Sequence, residues 1–151
     1  MPPEAVAKLL ETMPELSVAP SALVGVVAVA QVAEAGGVTV ELLSVEVREA
    51  GALVHWRARS ERAIAMLVPQ ISISDDKSTA YRAHPAEGSG DERSWTGSLA
   101  VLPTLPLGTM LTIVFESFGA DERIQMPGYI AAEPIAGPWR FAIDTSDIRK
   151  P

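Results

Sequence analysis

Residues 36–59 constrain this chain more than any other part of it. They run Gly36-Gly37-Val38-Thr39-Val40-Glu41-Leu42-Leu43-Ser44-Val45-Glu46-Val47, then Arg48-Glu49-Ala50-Gly51, then Ala52-Leu53-Val54-His55-Trp56-Arg57-Ala58-Arg59. Apolar and polar residues alternate with period two, and a polar break ending in glycine separates the two runs. That period puts alternate side chains on opposite faces of an extended chain, so the stretch reads as strand, turn, strand. The parity of the first run changes midway. Val38, Val40 and Leu42 share one face, while Leu43, Val45 and Val47 share the other. A flip of this kind implies a β-bulge, or a bend that carries the strand into a second sheet. In the second run Val54, Trp56 and Ala58 point one way, and His55, Arg57 and Arg59 the other.

The rest of the chain continues in this style. Residues 3–13 form one amphipathic helix, with Val6, Leu9, Leu10 and Met13 on one face and Pro14 as the stop. A helix so short needs something to dock on, its own sandwich first and a partner chain second. Residues 23–33 are valine-rich on both faces and read as a central or covered strand. The apolar segment 64–68 meets Pro69, which marks a strand end or an edge piece. Ile71-Ser72-Ile73 is a short strand, and Asp75-Asp76-Lys77 suits a hairpin turn with residues 79–82 as the return strand. Residues 84–94, rich in glycine, serine and charge, read as a surface loop. Further strands are expected at 95–102 and 110–118, joined by the proline-set connection 103–108. A turn at 119–122 leads to a weak or edge strand within 125–132. The last strand, 139–144, points Trp139, Phe141 and Ile143 inward, and 145–151 is a polar tail.

Eight or nine short strands without alternating helices disfavour parallel βαβ units. The expected fold is all-β, an antiparallel two-sheet sandwich with a short N-terminal helix, and a closed barrel is the alternative. The division is 1–16 for helix and linker and 17–151 for the sandwich. The pieces Gly36-Gly37-Val38-Thr39-Val40, Leu53-Val54-His55-Trp56-Arg57, Ile73-Ser74-Asp75-Asp76-Lys77 with Thr79 and Tyr81, and Gly137-Pro138-Trp139-Arg140-Phe141 resemble uncharacterised bacterial immunoglobulin-like β-sandwich domains over residues 23–144. The resemblance implies an immunoglobulin-like fold and carries no catalytic residue across. The cysteine pair of antibody-type domains is missing.

Composition narrows the functions. The chain has no cysteine, which removes disulfides, thiolate metal sites and cysteine nucleophiles. Its 151 residues can bury roughly 70% of the surface the unfolded chain exposes, so the core needs no staple. A net charge of −7 argues against a nucleic-acid backbone as partner. The uncharged run 16–33 is marginal in length for a membrane span and holds Pro20, Gly25 and Gln31, so no membrane insertion is expected. The start Met1-Pro2-Pro3-Glu4 lacks the basic region of a signal peptide, which makes the cytoplasm the default expectation.

Chemistry-bearing patterns are few. The only histidines are His55 and His84, and no Gly-x-Ser-x-Gly elbow follows a strand. No phosphate cradle or cofactor motif is present, and no cofactor is expected. The acidic pairs Asp75-Asp76, Asp91-Glu92 and Asp121-Glu122 could supply oxygen ligands to Ca²⁺ if two loops met, but adjacent acids on turns ordinarily bond their own backbone. The one polar feature above background is the row His55, Arg57, Arg59. As a binding row it would receive an acidic partner, whereas pairing with cross-strand Glu41 and Glu46 is the plainer outcome and is placed ahead. The expectation is a non-catalytic protein-interaction or structural module, with self-association open to it through the helix and the sheet edges. A small-ligand or carbohydrate-binding sandwich is the alternative, and an enzyme ranks last.

Overall fold

The computed structural model of the chain describes residues 2–61, 68–91, 93–119 and 135–151. Most of the apolar segment at 64–68, the turn at 120–122 with its acidic pair, the weak strand within 125–132 and Glu92 lie outside the described residues. A helix, α1 (Pro3–Thr12), and a 3₁₀ turn (Pro14–Ser17) precede eight strands. These are β1 (Leu23–Ala35), β2 (Val38–Arg48), β3 (Ala52–Ser60), β4 (Val68–Asp75), β5 (Arg82–Gly90), β6 (Ser94–Leu102), β7 (Met110–Gly119) and β8 (Ile135–Asp144). All pairings are antiparallel. They make a five-stranded sheet ordered β1-β2-β3-β6-β5 and a three-stranded sheet ordered β4-β7-β8. The protein is an all-β two-sheet sandwich.

The parity flip in β2 is a bulge. Leu42 pairs with Trp56 and Ser44 with His55, so Leu43 is the extra residue against β3. Against β1 the same residue faces two, Val29 and Ala30, and Ala30 takes a left-handed φ of 50°. The bulge absorbs the extra residue, so Val38, Val40 and Leu42 and then Val45 and Val47 all face the core, where each is at most 2% exposed. The strand stays in one sheet throughout.

The inner faces meet over an aromatic cluster. Trp56 packs against Phe115 and Phe118, Phe115 against Phe141, and Phe118 edge-on against Trp139, with ring centroids 5.0–6.0 Å apart. Trp139 also donates from Nε1 to the carbonyl of Val38 at 2.9 Å, joining β8 to β2. Gln31 Nε2 donates to Ala142 O, and Val26 and Arg149 exchange two backbone hydrogen bonds. One flank of the sandwich is therefore stitched from β1 and β2 to β8 and the tail.

Four expectations are corrected. First, β1 is an edge strand, not a central one. It tolerates apolar residues on both faces because the residues after β8 cover part of it: Ile148 lies so near Gly25 that any side chain there would collide. Second, residues 79–82 do not return as the hairpin partner of β4. The chain crosses to the other sheet, and the Asp75 carboxylate organises the crossing by accepting from Lys77 N, Thr79 N and the Tyr81 hydroxyl. Third, residues 84–90 are part of β5, paired with β6. An edge strand wet on both faces has no need of apolar alternation. Fourth, the tail is not simply polar surface. Thr145 is fully buried, and its Oγ1 accepts from Thr109 N at 2.8 Å and reaches Thr109 O and Pro106 O.

The N-terminal segment covers part of the outer face. Val18, fully buried, packs with Leu53, Ala100 and Leu102 on the side of the five-stranded sheet away from the main core. Among the described residues no helix is long and apolar enough to cross a membrane.

Candidate functional site

The outer face of the five-stranded sheet is organised in columns by strand. β2 contributes Glu41 and Glu46, β3 contributes His55, Arg57 and Arg59, and β6 contributes Ser94, Thr96 and Ser98. The acidic and basic columns neutralise each other. His55 Nε2 lies 2.9 Å from Glu46 Oε1, and Arg57 Nη2 donates to Glu41 at 2.8 Å. Arg48 joins the first pair through Glu46 Oε2 at 3.0 Å and is itself held by the Ser21 carbonyl. Arg59 stands apart, exposed and without an ion pair among the described residues. It lines a separate hollow with Glu34, Thr39 and Glu61 at the β1–β2 turn. The predicted row thus lies on one face as expected, but two of its three members are engaged by neighbouring acids. These pairs are part-exposed and each contributes under about 1 kcal/mol.

The concave part of this face lies over β6. Register places His55, Ser98 and Glu87 in one row, Trp56, Gly97 and Gly88 in the next, and Arg57, Thr96 and Ser89 in a third. The first row, the middle backbone, and Thr96 and Ser89 of the third row enclose a groove of about 530 Å³, with Leu43 beside His55. Its floor is backbone, because the middle row directs its side chains to the core. Gly97 is required there, because a Cβ would stand 2.6 Å from Cζ2 of Trp56, whose indole lies against it on the core side. The Trp56 Nε1–H is buried and finds no acceptor among the described residues.

Two walls of different character flank the floor. On one side stands the Glu46-oriented imidazole of His55, whose Nε2 is taken. On the other stands Glu87 of β5, which is exposed and forms no ion pair among the described residues. No side-chain hydrogen bond among the described residues engages the hydroxyls of Ser89, Thr96 or Ser98. The groove therefore offers hydroxyls, one carboxylate and one imidazole nitrogen around a flat floor.

Sequence reasoning found His55 and missed the other groove residues. Thr96 and Ser98 were within its reach, since they alternate with Trp95, Gly97 and Leu99 and so must face outward. Glu87 and Ser89 were not, because their place follows from the pairing of β5.

Among the described residues the four sheet edges all carry irregularities. β4 holds Pro69 and a register shift at Gln70–Ile71, β5 holds Pro85 and a shift at Pro85–Glu87, and β8 holds Pro138 opposite a shift at Phe115–Ser117. β1 has its bulge and the left-handed Ala30. Proline and bulges on edges oppose strand-to-strand addition. Among the described residues no cluster of three or more metal-ligating side chains occurs. Asp75 is committed to its turn, and Asp91 caps its own loop by accepting from Arg93 N and Ser94 N.

Comparison with protein-family models, with curated proteins and with solved structures finds no match to this chain.

Proposed function

We propose that this chain is a non-catalytic binding module of the immunoglobulin-like type, which takes a small polar ligand in the groove over β6. The fold part of this reading is supported by strand order. Without β1, the sheets run β2-β3-β6-β5 and β4-β7-β8, which follows the A-B-E-D and C-F-G order of constant-type immunoglobulin sandwiches. The tryptophans depart from the antibody branch: Trp56 sits on the strand equivalent to B, Trp95 on E and Trp139 on G, with none on the equivalent of C.

One observation carries the functional part. Polar groups converge over a backbone floor, and among the described residues the Glu87 carboxylate and the hydroxyls of Ser89, Thr96 and Ser98 have no side-chain partner, in a volume within the range of small-molecule sites. A protein partner or a second copy added to a sheet edge has less support, since every edge among the described residues is irregular. The test is a thermal-shift screen of small polar metabolites against the parent protein and Ser89→Trp, which fills the groove from the exposed strand β5. A ligand of the groove raises the parent midpoint and leaves the variant unmoved. If compounds shift both equally or neither, while sedimentation shows a stable dimer, the interaction reading replaces this one.

A further inference from the structure

We infer that the ligand of this groove is a neutral saccharide, an inference that rests on the binding reading above and names its ligand class. The lining decides the class by what it can pair. Hydroxyls at Ser89, Thr96 and Ser98 both donate and accept, so they suit a ligand whose own groups do the same. Glu87 accepts only, and its two oxygens match a pair of adjacent ligand hydroxyls. His55 holds its ring through Glu46 and keeps Nδ1 for one further contact.

Charge excludes the competitors. An anionic ligand would meet Glu87 and no arginine or lysine among the lining residues, in a protein of net charge −7. A cationic ligand would find Glu87 alone, with no second acid among the lining residues to complete its pairing and with His55 already engaged by Glu46. A ligand without charge loses nothing on either wall. The floor adds shape: the middle row directs its side chains to the core, so a flat ring meets backbone between the two outward rows, and Leu43 gives its C–H face an apolar neighbour.

The experiment follows backbone amides by NMR while trisaccharides of glucose, mannose, galactose and N-acetylglucosamine are added separately. Arginine and glutamate serve as charged probes of comparable reach. The expected result is saturable movement of the Gly88, Gly97 and Ser98 amides with at least one trisaccharide and with neither charged probe. Glu87→Ala and Thr96→Val, both on the outer face, each weaken that binding about tenfold while leaving the remaining spectrum in place. If the same amides respond to a charged probe and to no trisaccharide, the ligand class is wrong and the binding module stands. If no probe of either kind moves them, both readings fall.

Discussion

Replacing Thr145 by valine tests whether hydrogen bonding or packing holds the end of the three-stranded sheet. Valine keeps the shape and removes Oγ1. The Thr145 carbonyl partners survive the change: Pro106 O still receives the Thr109 hydroxyl at 3.0 Å, and Thr109 O still receives Thr145 N at 2.9 Å. One group is orphaned, the buried N–H of Thr109, which now points at Oγ1 from 2.8 Å. An unsatisfied buried donor costs about 1–3 kcal/mol, and the extra buried methyl returns under about 1 kcal/mol. The expected net loss is about 1–2 kcal/mol. Serine makes the opposite cut, keeping Oγ1 and deleting a buried methyl, for about 0.5–1.5 kcal/mol. Alanine makes both cuts and loses about the sum. In a domain of this size each kcal/mol moves the thermal midpoint by about 2–4 °C. Urea unfolding followed by tryptophan fluorescence, with unchanged slopes, gives the ranking. A valine variant as stable as the parent would refute the reasoning, since it would mean that Oγ1 satisfies nothing the fold requires.

Other consequences are equally open to measurement. Deleting Leu43 leaves Val38, Val40, Leu42, Val45 and Val47 in unbroken alternation and closes the β2–β3 register, so cooperative unfolding is retained and the loss is confined to the β1 pairing, where Val29 and Ala30 lose their counterpart; circular dichroism melts check this, and the disappearance of a cooperative transition would contradict it. Gly97→Ala drives a methyl into the Trp56 ring and costs about 1–3 kcal/mol in chemical denaturation, with altered tryptophan emission. Desolvation and the nearby Asp75 carboxylate push the Tyr81 phenol up to about 12, so its contribution is whole below about pH 10 and is lost as pH rises toward 12. Absorbance titration of a Tyr129→Phe background checks this, and ionisation near pH 10 in the folded protein would contradict it. Asp75 is held below the usual carboxylate range by the Thr79 hydroxyl first, then by Tyr81 and two backbone N–H groups, against the opposing effect of burial. The stability gap between the parent and Asp75→Asn is therefore full above about pH 4 and closes as pH falls below it.

The legible part of this fold is where burial imposes alternation. Val54, Trp56 and Ala58, and Trp139, Phe141 and Ile143, were placed inward by period alone, and the Leu42–Leu43 flip located the bulge to the residue. What escaped is what burial does not write. β5 reads as a loop because Gly88, Ser89 and Gly90 are wet on both faces, and its strand character comes from β6 beside it. The crossing at Asp75 reads as a hairpin because an aspartate turn looks the same whichever sheet the chain enters next. Thr145 reads as surface because its partners, Thr109 and Pro106, lie some forty residues away in sequence. Half of the groove was hidden for the same reason as β5.

The paired hydrogen bonds between Val26 and Arg149 have a topological consequence. They bring the first strand and the last few residues side by side, so a short linker from the tail to residue 22 or so would close the sandwich into a ring without strain. New ends could then be opened at the exposed Gly36-Gly37 turn, giving a circularly permuted chain with the same core.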